Sequence, residues 1–161
     1  MTPLRALIFT AVSSDHFTDA SKMVAIKIQT ETDKMSLPEQ ERLCRAFADA
    51  NDMIVIETLS ISGHSRSETD IFTLFEDYAA IGVTAYHKLR QHWIAGNFDV
   101  LICVAPHRLG RSSSIVTFIL ENVIKRGRRA YFIQGGWVDE SNADFFIAMS
   151  APATKMEIKH R

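Results

Sequence analysis

The stretch FDVLICVAPHRLGRS, Phe98 to Ser112, passes directly from a mainly apolar run into a loop crowded with cations. Phe98 to Val104 is polar only at Asp99, near its start, which is the pattern of a central strand covered by helices on both sides. The residues after it, His107-Arg108-Leu109-Gly110-Arg111-Ser112, then belong at the carboxyl end of a parallel sheet, where open α/β folds hold their ligands.

The surrounding segments agree with that placement. Upstream, Leu4 to Val12 (LRALIFTAV) is a second buried strand that empties into Ser13-Ser14-Asp15, and Met53 to Leu59 is a third, followed by a polar loop from Ser60 to Ser67. Between them, Ser36-Leu37-Pro38-Glu39 carries the marks of a helix start: a capping Ser, Pro in the first turn, and a Glu placed to reach back and complete a capping box. That helix is expected to run to about Ala50. Ser67 to Ala80 and Ala85 to Ala95 place aromatic and aliphatic residues at helical spacing, with Gly82 between them. Downstream, Ile115 to Ile124 is helical in pattern, Ala130 to Ile133 is a short strand, and Ser141 opens an amphipathic helix that Pro152 should stop or kink. Met23 to Gln29 (MVAIKIQ) alternates like a strand within a long polar loop. The order predicts an α/β domain with a mostly parallel sheet of four to five strands flanked by helices.

With 161 residues, 47% of them hydrophobic and 23% charged, the chain can bury a core as one domain. Seven Gly and four Pro exclude a collagen-like or low-complexity chain. No apolar run approaches the roughly 18 residues of a membrane span, and no signal-peptide pattern opens the sequence, so the expected compartment is the cytoplasm. Eighteen Lys+Arg against nineteen Asp+Glu give a net charge of −1, so DNA contact must come from a local basic cluster rather than from bulk charge. Cys44 and Cys103 lack the spacing of a metal site and read as buried, reduced thiols. His87 and His92 are five apart, off the i, i+4 pairing of a helical metal motif, so no metal is expected.

Three polar loops fall at carboxyl ends of expected strands: Ser13-Ser14, Ser62-Gly63-His64-Ser65-Arg66, and His107 to Ser112. A Ser hydroxyl facing several guanidiniums is what attack on a phosphodiester needs, because the arginines hold the phosphate and stabilise the charge that builds up in the transition state. Taken singly, a Ser pair after a strand is more often a turn or cap, and two arginines three apart more often a solvated face.

Val12-Ser13-Ser14, Ser36-Leu37-Pro38-Glu39-Gln40, Ser62-Gly63, Phe98-Asp99-Val100-Leu101, Arg108-Leu109-Gly110-Arg111-Ser112 and Gly136-Trp137-Val138-Asp139 occur in an order that resembles the catalytic domain of serine recombinases, the resolvase/invertase family. The resemblance spans roughly residues 4 to 150. It implies a catalytic domain over 1–150, with 151–161 as the start of an interface helix or a linker tail towards a DNA-binding domain. It implies site-specific cleavage and rejoining of double-stranded DNA through a 5′-phosphoserine intermediate, with no metal, ATP or other cofactor. Ser13 matches the nucleophile, Arg108 and Arg111 the phosphate-binding arginines, and Arg66 the arginine of the loop after Ser-Gly. Ser36, Gln40 and Ser62 match supporting positions. The resemblance also implies dimers that pair into a tetramer through the last helix, here Phe145, Phe146 and Met149, aromatics that serve equally well as core.

Two positions depart from the family pattern. Ala11 stands where an Arg usually precedes the nucleophile, and His107 replaces the Asp of Asp-Arg-Leu-x-Arg, which removes a phosphate cation and a carboxylate that orients arginines. Lys22, Lys27 and Lys34 carry charge in the long loop, and His64 and His107 are candidates for proton transfer, His107 the better placed. The alternative reading is a catalytically degenerate domain kept for DNA-bound assembly or regulation. A nucleotide-binding domain lacks both GxGxxG and Walker signatures.

Overall fold

Strand β1 (Arg5–Ser13) is apolar on both faces and sits between two other strands, which explains the absence of polar alternation. A computed structural model describes residues 2–13, 35–64, 84–110 and 113–149, with the backbone alone at 13, 62–64 and 147–149. The expected strand over 23–29, the helix over 67–80 and the tail beyond 149 lie outside the described residues. After β1 come helix α1 (Leu37–Ala50), β2 (Ile54–His64), α2 (Ala85–Ala95), β3 (Val100–Cys103), α3 (Ser113–Lys125), β4 (Arg129–Phe132), β5 (Gly136–Val138) and α4 (Ala143–Met149).

The sheet order is β2-β1-β3-β4-β5. The first four strands run parallel, and β5 turns back antiparallel to β4. From β1 the chain crosses to β2 on one side, then returns to β3 on the other. With right-handed crossovers this reversal puts α1 and α2 on opposite faces of the sheet. The cores bear it out. Ala6 and Ile8 pack with Cys44 and Ala48 of α1, while Leu7 and Phe9 pack with Tyr86, Leu89 and Trp93 of α2 and with Ile115 and Ile119 of α3. Both cysteines are free and buried, as expected, and burial pushes the Cys44 thiol above its ordinary range.

Two elements differ from the sequence expectation. Strand β2 does not end at Leu59: Ser60 to His64 continue the parallel pairing with β1, and Ser60 Oγ lies 2.8 Å from Thr10 Oγ1. Ser62, expected in a loop, is therefore on a strand. Strand β5 was not expected as an element; Gly136, at φ +92°, makes the tight return that lets Trp137 pair opposite Tyr131. No helix among the described residues is long and apolar enough to cross a membrane.

Candidate functional site

Because the sheet order reverses between β1 and β3, the crevice at their carboxyl ends is the topological switch point of the domain. β1 is longer than β3 and outruns it. The two strands pair only from Ala6 to Ile8, so the polar backbone of Ala11 faces a place where no strand continues. A buried peptide group must still find partners, and side chains from two other elements provide them.

Gln40, fully buried on the first turns of α1, acts towards Ala11 as a neighbouring strand would. The Ala11 amide donates to Gln40 Oε1 at 3.2 Å, and Gln40 Nε2 donates to the Ala11 carbonyl at 2.9 Å and to the Met35 carbonyl at 3.0 Å. Arg108 approaches from the β3 side. The residue is only 3% exposed, and its Nη1 donates to the same Ala11 carbonyl at 3.1 Å. One carbonyl, two residues before Ser13, is thus held by both Gln40 and Arg108. The backbone of Ser13 is paired opposite His64 beyond an irregularity in the β1–β2 register.

The loop carrying Arg108 is held as firmly. After β3 the chain makes a 3-10 turn, Pro106–Arg108, closed by Arg108 N–H to Ala105 and Leu109 N–H to Pro106, both 3.0 Å. The hydroxyl of Tyr86 donates to the Leu109 carbonyl at 2.5 Å. Gly110 lies against α3 so closely that an added Cβ would sit 2.6 Å from Ile115 Cγ2, so no larger residue fits without a shift.

The remaining expected residues are placed less uniformly. Ser36 is the N-cap of α1, accepting from the Glu39 amide at 3.2 Å; the reciprocal arm of the expected capping box is replaced, since the Glu39 carboxylate takes Arg42 Nη2 at 2.7 Å. His107 is exposed on the 3-10 turn. Arg66, Arg111 and Lys22, Lys27 and Lys34 lie outside the described residues. The last helix divides its aromatics: Phe145 is 62% exposed, whereas Phe146 is buried and stacks on Phe132 with ring centroids 5.6 Å apart, so Phe146 is core rather than interface. Of Met149 only the backbone of α4 is described. Among the described residues no group of three or more His, Cys, Asp or Glu could hold a metal.

Sequence reasoning missed Tyr86 and the Ala11 carbonyl. Tyr86 reads as one more aromatic of a helical core stripe; the signal was its hydroxyl, which a buried position obliges to find an acceptor. The Ala11 carbonyl has no sequence signal, being backbone.

The mostly parallel five-stranded sheet with its flanking helices is shared with solved structures. The N-terminal catalytic domain of TP901-1 integrase is similar at TM-score 0.64 and 16% identity, covering 98% of each chain. A resolvase family site-specific recombinase from Streptococcus pneumoniae is similar at TM-score 0.59 and 16% identity, over 98% of this chain and 89% of that one. The C-terminal catalytic domain of ISC1926 TnpA, an IS607-like serine recombinase, is similar at TM-score 0.52 and 17% identity, over 81% of this chain and 70% of that one. At such identities the likeness is one of fold. No protein-family model matches the sequence, and no curated protein does.

Proposed function

We propose that this chain is the catalytic domain of a site-specific serine recombinase, acting on double-stranded DNA in the cytoplasm. The observation that carries the reading is the convergence of Arg108 and Gln40 on the Ala11 carbonyl, which ties the phosphate-binding arginine to the strand end that presents Ser13. In the proposed reaction the Ser13 Oγ attacks a backbone phosphorus. The new Oγ–P bond forms as the P–O3′ bond breaks, the 3′-oxygen leaves with a proton, and the 5′-phosphate stays on the protein. One phosphoester replaces another, so rejoining by the reverse step needs no external energy source. Arg108, Arg111 and Arg66 would hold the phosphate and stabilise its transition-state charge. In this reading residues 1–150 are the catalytic unit, and residues 151–161 are the start of an interface helix or a linker tail. Assembly into dimers and tetramers would use the exposed Phe145 on α4.

The test is a covalent trap. The protein is mixed with a randomised pool of nicked duplexes, quenched in denaturant and resolved by mass. The expected result is an adduct that is lost in Ser13→Ala and diminished in Arg108→Lys. No adduct from the folded protein on any duplex overturns the reading.

A second reading, a degenerate domain kept for DNA-bound assembly or regulation, is favoured by one feature: Ala11, where the family pattern has Arg, is fully buried. Cleavage that appears only in the double variant Ala11→Arg/His107→Asp would support it. Because position 11 is enclosed, the same variant must be checked for folding.

A further inference from the structure

We propose that Tyr86 is a positioning residue for the loop after β3, setting through its hydroxyl the direction in which Arg108 is presented to a phosphate. The proposal rests on the recombinase reading for the role of Arg108, and on geometry alone for the rest.

Tyr86 is 1% exposed at the start of α2, its ring 5.4 Å from that of Phe9 on β1. It lies in the cluster of Leu89, Trp93, Leu101 and Leu109, where Phe or Leu would fill the space equally well. A hydroxyl in such a place is unfavourable unless it is used. On the loop it donates to the Leu109 carbonyl at 2.5 Å. That carbonyl belongs to the peptide joining Leu109 to Gly110, which directly follows Arg108 and Leu109 in the chain. Gly110, the other residue of that peptide, packs closely on Ile115 of α3: an added Cβ would sit 2.6 Å from Ile115 Cγ2 and 3.6 Å from the Tyr86 hydroxyl oxygen. Tyr86 and Ile115 therefore hold this part of the loop from two helices. Rotation of the Leu109–Gly110 peptide would turn the chain on either side of it, and with it the aim of Arg108 towards β1.

The test is Tyr86→Phe in the full chain, which removes the hydroxyl and keeps the ring. Three quantities are measured: backbone amide exchange over residues 107–112, DNA affinity, and the single-turnover rate of adduct formation at saturating nicked duplex. The expected result is faster exchange in that loop, affinity within about twofold of wild type, and an adduct rate lower by roughly ten- to a hundredfold, the scale of a small misplacement of a catalytic group. A rate that is unchanged, or one that falls only in step with affinity and thermal stability, overturns the proposal and leaves Tyr86 as core. If wild type forms no adduct, the recombinase reading fails by itself. The exchange measurement then decides the positioning claim: accelerated exchange in Tyr86→Phe upholds the grip on the loop, and unchanged exchange refutes it.

Discussion

Gln40→Leu removes the amide that stands in for a missing strand beside Ala11, at nearly constant volume. The Ala11 N–H, which donates to Gln40 Oε1, is then stranded in a fully buried place, at a cost of about 1–3 kcal/mol. Loss of the two bonds from Nε2 adds about 1 kcal/mol, kept small because Arg108 still serves the Ala11 carbonyl and the Met35 carbonyl is only part-buried. The sum is about 2–4 kcal/mol, which for a domain of 161 residues is a fall in Tm of roughly 4–16 °C. Calorimetry or circular dichroism on purified wild type and variant measures it. The companion variant is Arg108→Met. Since both side chains donate to one carbonyl, either alone leaves it satisfied and the pair together does not. The double variant should cost more than the sum of the singles, by about 0.5–3 kcal/mol. A Gln40→Leu Tm within about 2 °C of wild type, or strict additivity in the cycle, refutes the account of Ala11 as a shared anchor.

Other variants test neighbouring parts of the structure. Gly110→Ala should lose about 1–3 kcal/mol in urea titration, because its Cβ would meet Ile115 at 2.6 Å. Phe146→Ala should cost about 3–5 kcal/mol, while Phe145→Ser, at an exposed position, should stay within about 0.5 kcal/mol; equal losses would contradict the division between core and surface on α4. At the amino end of the sheet, Asp99 takes hydrogen bonds first from the Arg5 guanidinium and then from its backbone amide, which hold its carboxyl below the usual carboxylate range against the opposing effect of burial. A carboxyl lowered in the folded state stabilises fully above its unfolded pKa, about 3.9, and that contribution disappears as pH falls through the folded value. The Tm gap between wild type and Asp99→Asn should thus be steady from pH 6 to 8 and narrow below about pH 4; a gap that persists at the lowest pH contradicts it.

The parts of the fold legible in the sequence are those governed by local chemistry. Helix α1 starts where Ser36 can cap the Glu39 amide and Pro38 fits the first turn. β1 and β3 are apolar on both faces because helices lie on both. What was not legible depends on distant partners. Ser60 to His64 look like a loop until β1 is placed beside them, and the three residues of β5 become a strand only against β4. The site divides in the same way. Arg108 and Gln40 could be singled out by resemblance, but their common contact joins residues 97 and 29 positions apart from Ala11 through a carbonyl that no side-chain pattern marks. Phe145 and Phe146 are adjacent in sequence, and only the phase of α4 against Phe132 shows which one is buried. Tyr86 belongs to an apolar stripe in the sequence, and its hydroxyl has no apolar explanation.

The most direct measurement for the recombinase reading is the address of the trapped nucleotide. The adduct is treated with nuclease and trypsin, and the peptide Ala6 to Lys22, which contains Ser13, Ser14 and Ser21, is sequenced by mass spectrometry. The account expects a nucleotide 5′-phosphate on Ser13. A nucleotide on Ser14 or elsewhere in the chain, or DNA cut while this peptide stays unmodified, would contradict it.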